Sequence, residues 1–170
     1  MHQEGHSDHS SIGPQKNVGA QGLSREIAMI FVDANMWCYY FDRRLPEHKY
    51  VREPLRNIIQ TEEIACNTVI VMEVAHYLTR NFVEDEVRKK IEYFVNLRNM
   101  NIADFNRSLM TESLENLIEH AYTEGLGGRD ATIISTLKAF NLKKMFSHDD
   151  IFKRLAPKLG LEIIDPIPPH

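Results

Sequence analysis

The chain has 170 residues and a formal net charge of −4, from 20 Lys and Arg against 24 Asp and Glu. That length suits one ordinary domain, and 43% hydrophobic with 26% charged residues is globular composition. The acidic balance excludes a polybasic nucleic-acid coat protein. It leaves nucleic acid open as a substrate, because a local basic patch beside bound cations can hold a polyanion.

Residues 1–26 carry Gly5, Gly13, Gly19 and Gly22, half of the eight glycines, among Ser, His, Gln and Asn. So little apolar surface cannot offset the entropy of ordering, and the segment reads as a flexible tail. His2, His6 and His9 specify no metal geometry there. The expected domain runs over residues 27–166. It opens with Ala28-Met29-Ile30-Phe31-Val32-Asp33-Ala34-Asn35, an apolar run that ends in a carboxylate and fits a buried strand. A short apolar helix follows over 35–41, then a basic loop with Arg43, Arg44 and Lys49. Val51, Leu55, Ile58 and Ile59 give helical spacing over 50–62, with Pro54 early enough to be tolerated.

Ile64-Ala65-Cys66 reads as the second strand, and Asn67 or Thr68 can cap the helix over 69–79. An amphipathic helix is expected over 83–99, with Val87, Ile91, Phe94 and Leu97 as its stripe. A weak strand follows at 101–105, then a long helix over 108–124 with Leu109, Leu114, Leu117, Ile118 and Ala121 apolar. Gly125, Gly127 and Gly128 break it before a helix over 130–140. Lys144-Met145-Phe146, a short helix over 150–158 and a last strand at 161–164 complete the chain. Strands alternating with helices argue a mostly parallel sheet covered on both faces, in an α/β class of three α/β/α layers.

Cys38 and Cys66 match no CxxC pattern and imply no disulfide framework, which favours a reducing compartment. No apolar run approaches a membrane span, and the N-terminus lacks the apolar stretch of a signal peptide, so a cytoplasmic location is expected.

Four acids stand out. Asp33 and Asp149 each follow a strand, where an acid also serves as an N-cap. Asp130 opens a helix, where the dipole favours negative charge. Glu73 lies inside Val69-Ile70-Val71-Met72-Glu73-Val74-Ala75, where an ionised carboxylate is costly unless paired with an Arg, kept at a rim or bound to a cation. Strand ends open on the ligand crevice of α/β sheets. Carboxylates crowded there repel and persist with a hard cation, Mg²⁺ or Mn²⁺.

The stretches Ile30-Phe31-Val32-Asp33-Ala34-Asn35, Val71-Met72-Glu73-Val74, Gly127-Gly128-Arg129-Asp130-Ala131 and Phe146-Ser147-His148-Asp149-Asp150 together resemble the PIN domain family, most of all its VapC-type toxins. The resemblance covers about residues 28–165. It implies a small α/β/α endoribonuclease that cleaves RNA with Mg²⁺ or Mn²⁺ held by Asp33, Glu73, Asp130 and Asp149. Asn35 and Ser147 match the assisting polar positions, Ser147 standing where Thr is more usual. Asp150 competes with Asp149 as the fourth acid, and the spacing to Ser147 and Phe152 favours Asp149. Arg43, Arg44, Lys49 and Arg129 would hold the RNA backbone, unless they only form a solvated face. The resemblance also implies a homodimer and a small antitoxin that blocks the cleft. Two other functions stand beside this one. An aspartyl-nucleophile phosphatase would use Asp33, although its usual second acid two residues on is here Asn35. A catalytically silent RNA-binding or scaffold module would need no ion.

Overall fold

The computed structural model describes residues 28–169, so the expected tail at 1–26 lies outside the described residues. β1 (Met29–Val32) is followed by α1 (Ala34–Phe41), α2 (His48–Thr61) and β2 (Glu63–Asn67). Next come α3 (Thr68–Asn81), α4 (Glu84–Val95) and β3 (Met100–Ala103). The chain ends with α5 (Arg107–Glu124), α6 (Gly128–Ala139), β4 (Lys144–Phe146), α7 (Asp150–Leu159) and β5 (Glu162–Ile164). All five strands are parallel, in the order β3-β2-β1-β4-β5.

β1 is the centre of the sheet. Phe31 pairs with Ala65 on one side and Met145 on the other. Ile30, Phe31 and Val32 are fully buried, which is why the run is apolar without alternation: helices cover both faces. Right-handed crossovers place α1–α4 on one face and α5–α7 on the other. The packing agrees, with α1 against α2 and α3, α3 against α4, and α5 against α6 and α7. Trp37, fully buried on α1, stacks on Phe41 and tilts against Phe94 of α4, closing the first helical layer.

Two local readings change. α4 stops at Val95 rather than continuing to 99. Asn99 donates its amide to the Ile59 carbonyl at 3.0 Å, which ties the end of α2 to the chain just before β3 and turns it into the sheet. On α5 the apolar residues are not all inside. Leu114 and Ile118 are 50% and 65% exposed, while Ser113, Asn116 and His120 are buried. The reason is the neighbour: Ser135 of α6 accepts from Ser113 at 3.1 Å and from Asn116 at 2.9 Å, so the α5–α6 seam is polar.

The chain leaves β1 toward β2 and leaves β4 toward β5, so the strand order reverses between β1 and β4. A crevice opens at such a point beyond the strands' carboxyl ends.

Candidate active site

Asp33 ends β1 and Ser147 and Asp149 follow β4, on the two sides of that crevice. The Asp33 amide donates to the Phe146 carbonyl at 3.0 Å, which extends the β1–β4 ladder by one rung. The Asp33 side chain is fully buried. Its Oδ1 accepts from the Ala34 amide at 2.7 Å, so Asp33 does cap α1. Its Oδ2 accepts from the Ser147 hydroxyl at 2.7 Å. Burial pushes the Asp33 carboxyl up to about 6, against the opposing pull of Ser147 and Arg129.

Asp149 divides its oxygens in the same way. Oδ1 caps α7 through the Ile151 amide at 3.0 Å, and Oδ2 accepts from Arg129 at 3.1 Å. Asp130 is alike: Oδ2 accepts from the Gly127 amide at 3.3 Å and Oδ1 from Arg129 at 2.9 Å. A Cβ at Gly127 would stand 3.2 Å from Asp130 Oδ2, so glycine lets that carboxylate fold back on its own helix start. Capping and a site role are thus not alternatives here. One oxygen of each Asp serves the backbone; the other meets Arg129 in Asp130 and Asp149, and the Ser147 hydroxyl in Asp33.

Glu73 projects from the middle of α3 and is about one third exposed. Its Oε1 accepts from Arg129 at 2.7 Å, the arginine pairing that would make it an ordinary rim acid. Its Oε2 is buried without a hydrogen-bond partner, as is Asn35 Oδ1. The same Arg129 guanidinium therefore touches Glu73, Asp130 and Asp149. Burial works against its charge, but the Asp33 carboxylate and the Asp130 and Glu73 hydrogen bonds outweigh that and raise its pKa. Among the described residues no three acidic, His or Cys side chains face one another closely enough to share a metal ion. Three of the acids face Arg129 instead.

Asp150 stands outside this group, exposed and paired with Lys153 at 3.1 Å. Arg43 and Lys49 are exposed. Arg44 is tied down, donating to both oxygens of Asp42 at 2.8 and 2.7 Å and to the Asn81 carbonyl at 3.0 Å. That pairing holds the Asp42 carboxyl well below the usual range. Burial pushes both thiols, Cys38 and Cys66, up to about 12, so neither offers a thiolate.

Sequence reading missed what sets the two helices that carry Glu73 and Asp130. Asn67 is more than a cap. Its Oδ1 accepts from the Ile70 amide at 2.9 Å, and its Nδ2 donates to the Thr136 hydroxyl at 2.9 Å. It locks the start of α3 to α6, with a partner 69 residues away that no local signal announces.

A family model described as the PIN domain matches residues 30–158. No curated protein matches the chain. Among solved structures, VapC20 of Mycobacterium tuberculosis, a Sarcin-Ricin loop cleaving toxin, superposes with TM-score 0.62 at 14% identity, covering 74% of this chain and 93% of that one. VapBC2 from Rickettsia felis, bound to a DNA fragment from its promoter, gives 0.61 at 18%, covering 81% and 98%. A toxin–antitoxin complex from Klebsiella pneumoniae gives 0.56 at 18%, again covering 81% and 98%. These structures share the three-layer fold with its parallel sheet, and together with the matched residues they lead to one assignment: the chain belongs to the PIN domain family.

Proposed function

We propose that the protein is a metal-dependent endoribonuclease and the toxin of a toxin–antitoxin pair. The observation that carries this reading is the meeting of four acids from four elements at the switch point between β1 and β4. Asp33, Glu73, Asp130 and Asp149 are separated by up to 116 residues and still converge on one guanidinium or its immediate neighbour. VapC20 being a Sarcin-Ricin loop cleaving toxin supports RNA as the substrate, and the Klebsiella complex supports an antitoxin partner.

The chemistry of the donors suits a hard divalent ion, while their present spacing around Arg129 does not yet close on one. Its ligands are carboxylate oxygens, and Glu73 Oε2 and Asn35 Oδ1 are buried oxygens that no protein donor satisfies. Asp33, Glu73, Asp130 and Asp149 would hold Mg²⁺ or Mn²⁺. When bound, such an ion activates a water and clamps the oxygens of a phosphodiester. The chain's own work is orientation. Ser147 fixes Asp33 by donating to Oδ2 and accepts the Asp149 amide at 3.1 Å, so one hydroxyl aligns acids from two strand ends.

The RNA backbone would follow a groove of about 590 Å³ lined by Phe41, Arg43, Arg44, Phe82, Lys89 and Lys90, among others. It lies near the C-terminal ends of α1 and α3, roughly 12 Å from the acids by the rise of either helix. Cations beside aromatic rings suit single-stranded nucleic acid. The homodimer would use α5. Met110, Leu114, Ile118 and Tyr122 are exposed at four-residue spacing. The set is symmetric about residue 116, so an antiparallel second copy sets Leu114 against Ile118 and Met110 against Tyr122.

One observation favours a second reading. Arg129 pairs with three of the acids without any ion, so the cluster would also persist in a catalytically silent RNA-binding or scaffold module. The phosphatase finds no such support, since the position two residues after Asp33, where its second acid would stand, is Asn35. The deciding experiment is cleavage of labelled total RNA with Mg²⁺, Mn²⁺ or EDTA, comparing wild type with Asp33→Asn and Glu73→Gln. Metal-dependent cutting that both substitutions abolish supports the nuclease. RNA binding without cutting under every ion supports the silent module.

A further inference from the structure

Arg129 lies in the first turn of α6, directly after Gly127 and Gly128. Its fork is spent on the site. Nε and Nη2 donate to Asp130 Oδ1 at 2.9 and 2.8 Å, Nη2 also to Asp149 Oδ2 at 3.1 Å, and Nη1 to Glu73 Oε1 at 2.7 Å. The oxygens it takes are the ones the Asp caps leave over. Asp130 gives its other oxygen to Gly127 and Asp149 gives its other to Ile151. An ion using Asp130 or Asp149 must use the oxygen that Arg129 holds, or break a helix cap.

We infer that Arg129 is the resident cation of this site, competing with the divalent ion for Asp130 and Asp149, and that ion binding displaces its guanidinium from them. The inference rests on the metal-dependent reading above, but it concerns a residue of this chain. Two arguments carry it. A divalent ion and a guanidinium on the same oxygens would place like charges within a few ångströms, where repulsion is strong. A single positive charge among four carboxylates also leaves the site short of cation, so an ion of charge two is the better partner once it arrives. The guanidinium is one third exposed, so it can swing out without unfolding the helix. In the metal-free protein it holds together acids that would otherwise repel.

A competitor raises the apparent dissociation constant by the reciprocal of the fraction of time it vacates the site. If Arg129 is out about one tenth of the time, its removal tightens ion binding about tenfold. The test is calorimetric titration of Mn²⁺ and Mg²⁺ into wild type, Arg129→Gln and Arg129→Lys, with circular dichroism as the fold check. Arg129→Gln is expected to bind the ion about tenfold more tightly and to melt lower without metal, with Arg129→Lys between the two. Equal or weaker binding by Arg129→Gln overturns the inference and leaves the metal-dependent reading standing. Absence of binding in wild type and both variants overturns that reading and the inference together. A second measurement needs no variant. The Arg129 Nε–H resonance in wild type is expected to move as the ion saturates the site, and a resonance unmoved at saturation overturns the inference.

Discussion

Asp33→Asn should make the protein more stable, and by an amount that grows with pH. The carboxyl is fully buried, and burial lifts it from 3.8 to about 6. The folded state therefore holds this proton more tightly than the unfolded chain does. As pH rises through the window from about 4 to 6, the unfolded chain ionises first and stability falls; above about pH 7 the loss is complete. With each tenfold change in proton affinity worth about 1.4 kcal/mol, the charged Asp33 costs the fold about 3 kcal/mol at pH 8 and about half of that at pH 5. Asparagine carries no charge and keeps an Oδ1 for the Ala34 amide. Its amide nitrogen meets Ser147, whose hydroxyl must turn, which returns about 1 kcal/mol. A net gain of about 2 kcal/mol at pH 8 corresponds to roughly 4–8 °C in Tm for a chain of this size. Urea unfolding of both proteins at pH 5 and pH 8, without divalent ions, measures it. A difference that does not change between the two pH values, or an Asp33→Asn protein less stable than wild type at pH 8, would refute the argument.

Ser147→Ala removes the buried donor to Asp33 and should cost about 1–3 kcal/mol, more at pH 8 than at pH 5, by the same unfolding assay. Trp37→Ala empties the centre of the first helical layer and should cost about 3–5 kcal/mol, a loss that thermal unfolding will show if the site is as closely packed as its stacking on Phe41 and Phe94 implies. Arg43→Ala combined with Lys89→Ala removes two groove cations that make no ion pair among the described residues, and should lower the salt dependence of RNA binding by a log–log slope of about 1.4. An unchanged slope would take the backbone away from this groove. Ile118→Glu, at a position 65% exposed, should leave folding intact and turn a dimer into a monomer in light scattering, whereas a monomeric wild type at high concentration would remove α5 as the interface.

The strand and helix plan was legible along the chain because it is a matter of near neighbours. Ile30-Phe31-Val32 announces a strand covered on both faces, and Asp33, Asn67 and Asp149 announce the helices they cap. The acids could be picked out for the same reason: each breaks a local pattern, at a strand end, a helix start or an apolar helix face. The α5 face was less legible. A Leu or Ile at helical spacing looks like core until the neighbouring helix presents Ser135, and only then do Ser113 and Asn116 become the buried side.

Composition, periodicity and capping chemistry thus determined the elements, their class and the acids worth testing, since each depends on residues within a turn or two of one another. Tertiary structure alone decided how those acids are held. It bound Asn67 to Thr136 and so set the helices bearing Glu73 and Asp130. It set Asp149 inward and Asp150 outward, and it brought Arg129 from 56 residues away onto Glu73. Such contacts join groups far apart in the chain. Their energy depends on burial and mutual geometry, which exist only once the sheet has closed around β1.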